Sequence, residues 1–354
     1  MFSFLKQKAV NLSPGYFALV MATGALSIGT FQLGMELLPK ILLYINIIAY
    51  LLLWILTLIR LFGYFPRVLE DLTSHTKGPG FFTLVAGTCV LGSQLIIVDR
   101  NYSAAIYLLV LAVLLWQIIM YTFFAAVTVR KDKPAIADGM NGTWLIAVVA
   151  TQSISILGTL VSSHVDAGRG IILFVTLCMY FLGCMLYINM ITLIFYRFTF
   201  LRLEYSELTP PYWINMGAVA ITTLAGSTLI LNSRLWPLLV EITPFLKGFT
   251  LFFWIMGTWW IPLLFILMIW RYLYHRYPLS YDSQLWGMVF PLSMYTAGTF
   301  QLSKALNIPF LIVIPHIMVY IAMAAWIWVF LGFTKHLFDS LRNSSKSMAK
   351  KEKS

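Results

Sequence analysis

The chain reads as an all-α polytopic membrane protein, with ten transmembrane helices arranged as five helical hairpins around a central pore. Three observations carry that reading. Of 354 residues, 60% are hydrophobic and 10% charged, against roughly a quarter charged in soluble domains. Apolar runs long enough to cross a bilayer core, about 20 residues each, fill nearly the whole sequence and leave no room for a sizeable soluble domain. An aromatic-led opening rich in small residues recurs in every second run. The runs are too long and too evenly apolar for barrel strands, so the spanning elements are helices that satisfy their own backbone hydrogen bonds.

Charged or Pro/Gly-rich breaks delimit spans near 15–34, 38–62, 79–98, 102–129, 141–163, 169–197, 211–232, 245–272, 283–303 and 308–334. The first starts at Tyr16 behind Lys6 and Lys8 and lacks a small-residue cleavage site. It is therefore expected to be a retained anchor, with the mature protein beginning at Met1. The odd spans open GYFALVMATGALSIG, GFFTLVAGTCVLGSQ, GTWLIAVVATQSISI, PYWINMGAVAITTLAG and LWGMVFPLSMYTAGT, while even spans carry bulky runs such as ILLYINIIAYLLLWILTLI. Aligning Phe17, Phe82, Trp144, Trp213 and Trp286 gives separations of 65, 62, 69 and 73 residues, one helix pair per repeat. Each repeat crosses twice, so all five keep one orientation, and five odd helices can ring an axis. Small residues serve close helix packing as well. Their concentration in alternate spans points further, to an inner ring tolerant of polar groups and an outer lipid-facing ring.

Orientation follows from the basic residues. With the N-terminus inside, 18 of 24 Lys and Arg fall on the cytoplasmic side; only Lys40, Arg100, Arg169, Arg234, Lys247 and Lys304 fall outside. Both termini are then cytoplasmic. Residues 1–340 form the membrane domain and 341–354 a short basic cytoplasmic tail, polar and solvated.

The spans offer neutral chemistry. Only His316 among five histidines sits well inside a span, and no carboxylate lies near it in sequence. That argues against a proton relay or a cation path. Cys89, Cys178 and Cys184 lie in apolar runs without metal-ligand spacing and read as buried packing residues. No metal, cofactor, enzymatic constellation or nucleic-acid partner is expected. In the repeat register, Ser27, Gly92, Thr223 and Thr296 lie ten residues beyond the aromatic, and Ser155 joins them after a one-residue slip. Hydroxyls and backbone N–H groups there would replace part of an anion's hydration without binding it tightly. The odd helices all start on the basic side, so their positive dipole ends face that mouth. Four residues past the aromatic come Met21, Ala86, Val148, Gly217 and Phe290, with Gly217 counted among the lining positions. Phe290 is the one ring in that layer, and Pro291 after it removes a backbone donor and kinks the helix. Two readings stay open: a ring packed between helices, or a hydrophobic constriction that gates the axis.

The segments SPGYFALVMATGALSIG (Ser13 to Gly29) and WGMVFPLSMYTAGTF (Trp286 to Phe300) resemble the family that joins bacterial tellurite-resistance membrane proteins, C4-dicarboxylate and malate transporters, and the slow-type anion channels of plants. The resemblance implies five hairpins around an anion pore, a homotrimer with one pore per subunit, and a gate phenylalanine that falls on Phe290. It places the chain in the plasma (inner) membrane. Only the ninth span has a clear mid-span proline; the first and seventh have Pro14, Pro210 and Pro211 at their starts, so kinks elsewhere would fall to glycines such as Gly24, Gly87 and Gly226. The long phosphorylated tails of the plant channels have no counterpart, and kinase regulation is not implied. The expected function is an anion channel or channel-like exporter for small inorganic anions. The alternatives are a proton-coupled carrier for malate or another dicarboxylate, a tellurite-resistance exporter, and a non-conducting scaffold.

Overall fold

The computed structural model describes residues 9–10 and 12–351. Lys6, Lys8 and Lys353, counted toward the charge bias, lie outside them, as do the side chains of Lys346, Lys350 and Lys351. Among the described residues, ten α-helices of at least 15 residues follow one another: α1 (Ala18–Gln32), α2 (Leu37–Gly63), α3 (Phe82–Asp99), α4 (Tyr102–Val129), α5 (Ile146–Ser162), α6 (Arg169–Phe200), α7 (Ile214–Leu231), α8 (Pro237–Ile269), α9 (Trp286–Leu306) and α10 (Val313–Lys351). Among the described residues nine are long and apolar enough to cross a membrane; α9 is the one left out. Its Ser, Thr, Gly and Tyr content lowers its hydropathy, although it is buried along nearly its whole length. The expected count of ten spans therefore rests, for α9, on packing rather than on composition.

The repeated opening has a local cause. Each odd helix is entered through a 3-10 turn: Pro14–Phe17, Gly78–Phe81, Gly142–Leu145, Pro210–Trp213 and Ser283–Leu285. Proline near the first position suits such a turn because its missing N–H would have no partner there. Ser13, Asn141 and Asp282 cap three of the turns by accepting from the N–H of Gly15, Thr143 and Gln284.

The odd helices form a closed ring, α1 against α3, α3 against α5, α5 against α7, α7 against α9, and α9 back against α1. Each even helix packs outside its own odd partner. Burial follows: 94% of the best apolar window of α3, α5 and α7 is buried, against 28% for α2 and α4. Aromatic donors on each outer helix fasten the next hairpin's inner helix. Tyr50 Oη pairs with Thr88 Oγ1 at 2.9 Å, Trp116 Nε1 donates to Thr151 Oγ1 at 2.9 Å, and Tyr187 Oη to the Asn215 carbonyl at 3.1 Å. Trp254 Nε1 donates to Thr299 Oγ1, and Trp326 Nε1 closes the ring onto Thr23 Oγ1, both at 3.0 Å. Four threonine hydroxyls of the odd helices, Thr23, Thr88, Thr151 and Thr299, are used in this fastening.

Two expected boundaries move. The eighth span begins at Pro237 rather than 245, because Pro237 starts the helix and Glu241, Pro244 and Lys247 are carried inside it. The tail does not begin at an element boundary either, since α10 runs on to Lys351. Gly24, Gly87 and Gly226 lie within unbroken helices. A Cβ on Gly226 would meet Thr250 Oγ1 at 2.1 Å, so this glycine serves the close approach of α7 and α8.

Candidate functional site

Two cavities lie along the axis of the ring. At the end where the odd helices begin, a vestibule of about 560 Å³ is lined from all five: Ala18 and Met21 of α1, Thr83 of α3, Ile146 and Val149 of α5, Ile214 of α7, Gly287 and Phe290 of α9. Its rim carries Arg60, Arg67 and Lys77 against Glu70 and Asp71. At the other end a cavity of about 70 Å³ is lined by Ile28 and Gln32, Val90, Ser93 and Ile97, Ser153 and Ile156, Ile221 and Leu224, and Met294, with Asn232 and Gln301 near its mouth. Among the described residues no ionisable side chain lines this second cavity, and no residue lines both. Along α9 the step from one to the other is a single turn, Phe290 to Met294. Phe290 is 1% exposed and Met294 1%, so the axis is closed at this level by apolar side chains.

The helical period explains which residues face the path. Positions on each odd helix recur at three, four or seven residues, such as Met21 and Ile28, Thr83 and Val90, Val149 and Ser153, Ile214 and Ile221, which is one face of a 3.6-residue helix. Of the eight residues singled out from the sequence, only Phe290 lines a cavity. Ser27 Oγ donates to the Pro39 carbonyl at 2.7 Å and Ser155 Oγ to that of Thr176 at 2.8 Å, both toward the outer helix of their own hairpin. Thr223 and Thr296 hydroxyls donate to the carbonyls of Val219 and Leu292. Gly92 faces the Leu157 side chain, and a Cβ on Gly217 would stand 2.6 Å from Cγ of Pro291. These two glycines and Pro291 make helix contacts. Ile28, Ser93, Ile156 and Leu224, each one residue further along, face the outer cavity instead. One residue is about 100° of rotation, enough to exchange a lining position for a packing one. The signal that could have found the right face is the aromatic donors of the even helices, which bond Thr23, Thr151 and Thr299, about one turn from Ser27, Ser155 and Thr296.

At the rim, Asp71 accepts from the Arg60 guanidinium and from Lys77 Nζ, the latter at 2.9 Å. Burial pushes its carboxyl up, yet the hydrogen bonds and charges of Lys77 and Arg60 outweigh this and hold it below its ordinary value. Arg67 has no ion pair among the described residues, and it faces the vestibule.

The arrangement places basic and acidic side chains at one mouth and an uncharged, narrow cavity beyond, with Phe290 and Met294 buried between them. A membrane protein of Mycobacterium tuberculosis (strain H37Rv) is 35% identical over 162 residues, 46% of this chain and 82% of that protein. A transporter of Methanocaldococcus jannaschii is 25% identical over 306 residues, 83% of this chain and 85% of its own. A sulfite efflux pump of Arthroderma benhamiae is 21% identical over 363 aligned positions, 93% and 92% of the two chains. The family model described as voltage-dependent anion channel, of the SLAC1 type, matches residues 11–334. With the ring of five hairpins and the axial path falling within that match, the chain belongs to the voltage-dependent anion channel family.

Proposed function

We propose that this protein conducts small inorganic anions out of the cytosol through the axis of the five-hairpin ring, and that Phe290 is the gate. The observation that carries the reading is the pair of axial cavities that share no lining residue and are separated along α9 by the turn from Phe290 to Met294. Arg67 and Lys77 at the vestibule rim raise the local anion concentration, and the positive ends of the odd helices reinforce them. Beyond the gate, hydroxyl, amide and aliphatic groups permit passage without tight binding. A dicarboxylate carries two charges, and no cationic side chain lines the outer cavity to balance them. This favours singly charged inorganic anions over malate and its analogues; the sulfite efflux relative makes bisulfite, the singly charged form of sulfite, a leading candidate. The vestibule faces the cytosol with both termini, and the protein sits in the plasma (inner) membrane as a homotrimer with one pore per subunit. Residues 1–340 carry the pathway and 341–354 the basic tail.

The test is flux through purified protein in liposomes. Phe290→Ala removes the plug, so anion flux rises, and Phe290→Leu falls between wild type and Ala because a smaller apolar chain still obstructs and resists wetting. A ring that only packs would, when truncated, cost about 3–5 kcal/mol of stability and leave flux unchanged or lower. Flux and melting temperature on the same preparations separate the two, and a well-folded Ala variant without added flux rejects the gate.

A further inference from the structure

Arginines near the ends of the outer helices hold the starts of the inner ones. In the first and third hairpins the last turn of the outer helix, and in the fourth the turn that follows it, carries a buried arginine: Arg60, Arg197 and Arg271, each 6% exposed or less. Arg60 Nη1 donates to the Leu12 carbonyl at 2.8 Å and Arg197 Nη1 to that of Met140 at 2.6 Å, while Arg271 donates to Leu208. Each acceptor stands two residues before the 3-10 turn that opens the inner helix of the same hairpin. The second hairpin has a looser version, Arg130 to the Thr73 carbonyl at 3.4 Å. In the fifth, the residue two before the turn is Tyr281, and among the described residues no cation of α10 donates a hydrogen bond to this segment. The His336 ring lies beside Tyr281 at 5.6 Å between centroids, next to a cavity of about 450 Å³.

The same hairpin carries Phe290. Further along α9 a Cβ on Gly298 would meet the Ala220 carbonyl oxygen at 2.7 Å, so that stretch is seated against α7. Between the seated stretch and the unlatched start stands Pro291, which cannot donate to the carbonyl of Gly287 and so weakens the helix there. At the start of this segment Tyr281 Oη and Trp286 Nε1 are buried with no hydrogen-bond partner beyond each other, so neither ties it to a neighbouring helix. We propose that arginine latches hold the other inner helices, the second less firmly, and that residues 283–290 of the fifth hairpin swing about Pro291 to move Phe290. This rests on the reading of Phe290 as the gate.

A covalent latch tests it. A Cβ on Gly332 would lie 3.4 Å from the Cβ of Tyr281, near the roughly 3.8 Å mean of disulfides. Tyr281→Cys with Gly332→Cys, in a background with Cys89→Ala, Cys178→Ser and Cys184→Ala, is reconstituted and its chloride, nitrate and bisulfite efflux measured oxidised and reduced. The reduced protein is its own folding control. Flux about tenfold lower when oxidised, restored by reductant, is the expected result of removing one state from a two-state equilibrium. Equal flux in both forms, with the crosslink complete by mass, overturns the proposal. Adding Phe290→Ala should make flux indifferent to the crosslink; a block that persists overturns the claim that the segment acts through Phe290. Failure of the gate reading shows separately, as Phe290→Ala without any crosslink leaving flux unchanged.

Discussion

Trp326 stands at the seam where the last hairpin meets the first, and its indole N–H donates to Thr23, a side chain with no exposure. Trp326→Phe keeps most of the ring and removes the donor. A net loss of about 1 kcal/mol follows, read as a lower melting temperature in detergent, and Thr23→Val should cost a similar amount with little added in the double variant. Two full, additive losses would show that the bond does not hold the seam. Asp71 at the vestibule rim makes a different forecast. Its carboxyl is held below its ordinary value of 3.8, so the folded state favours the ionised form. The stabilisation is therefore complete above that value and disappears as pH falls through the lower folded one. A melting profile should be flat from neutrality down to that range and then decline more steeply in wild type than in Asp71→Asn, which has no carboxyl to protonate. Equal slopes would remove Asp71 as a contributor.

At the scale of elements, α9 is the helix that composition undersells and packing explains. Thr299 and Tyr295 bond α8, Thr296 lies against Gly29 of α1, and its Ser and Thr residues are buried, which spares polar groups that would be costly in lipid. Gly298 is where α9 and α7 come closest. Gly298→Val drives a branched side chain into the Ala220 carbonyl, 2.7 Å from where its Cβ must go, and backbone has no rotamer with which to give way. Overpacking of this kind costs about 1–3 kcal/mol; thermal unfolding of the Val variant should show it, with Ala intermediate, and a Val variant as stable as wild type would show that the contact is loose. Helix starts were legible where proline marks them, as at Pro14 and Pro210. The start of α8 was not, because Glu241, Pro244 and Lys247 look like a break and are instead carried inside a helix that Pro237 begins.

For the whole molecule, the excess of basic residues at one end fixes an expected orientation. Cysteines placed at Asp132 and Asp166, both exposed, in a background without the native three, should react with an impermeant thiol reagent added to intact cells only at position 166. The reverse pattern would invert the topology and with it the direction of anion capture. The even helices expose large rings, among them Tyr107 at 77% and Phe245 at 56%, a surface suited to lipid and to neighbouring subunits alike. Mass in mild detergent should correspond to three chains; a monomer with full flux would show the trimer to be dispensable.

Composition and periodicity determined that this chain is helical and membrane-embedded, that it repeats in hairpins, and that alternate helices form the inner ring, because apolar length and small-residue bias are properties of each segment by itself. Of the layer read four residues past the aromatic, Met21 and Phe290 line the vestibule, while Ala86, Val148 and Gly217 line neither cavity. Tertiary structure decided which hydroxyls face the path. A helix turns about 100° per residue, so Ser27 reaches the Pro39 carbonyl while Ile28 beside it lines the cavity, and only the neighbouring helix selects between them. It also decided that Arg60, Arg197 and Arg271 bind backbone rather than solvent: their acceptors lie 48, 57 and 63 residues away, a pairing created by closing the hairpins and absent from any local pattern.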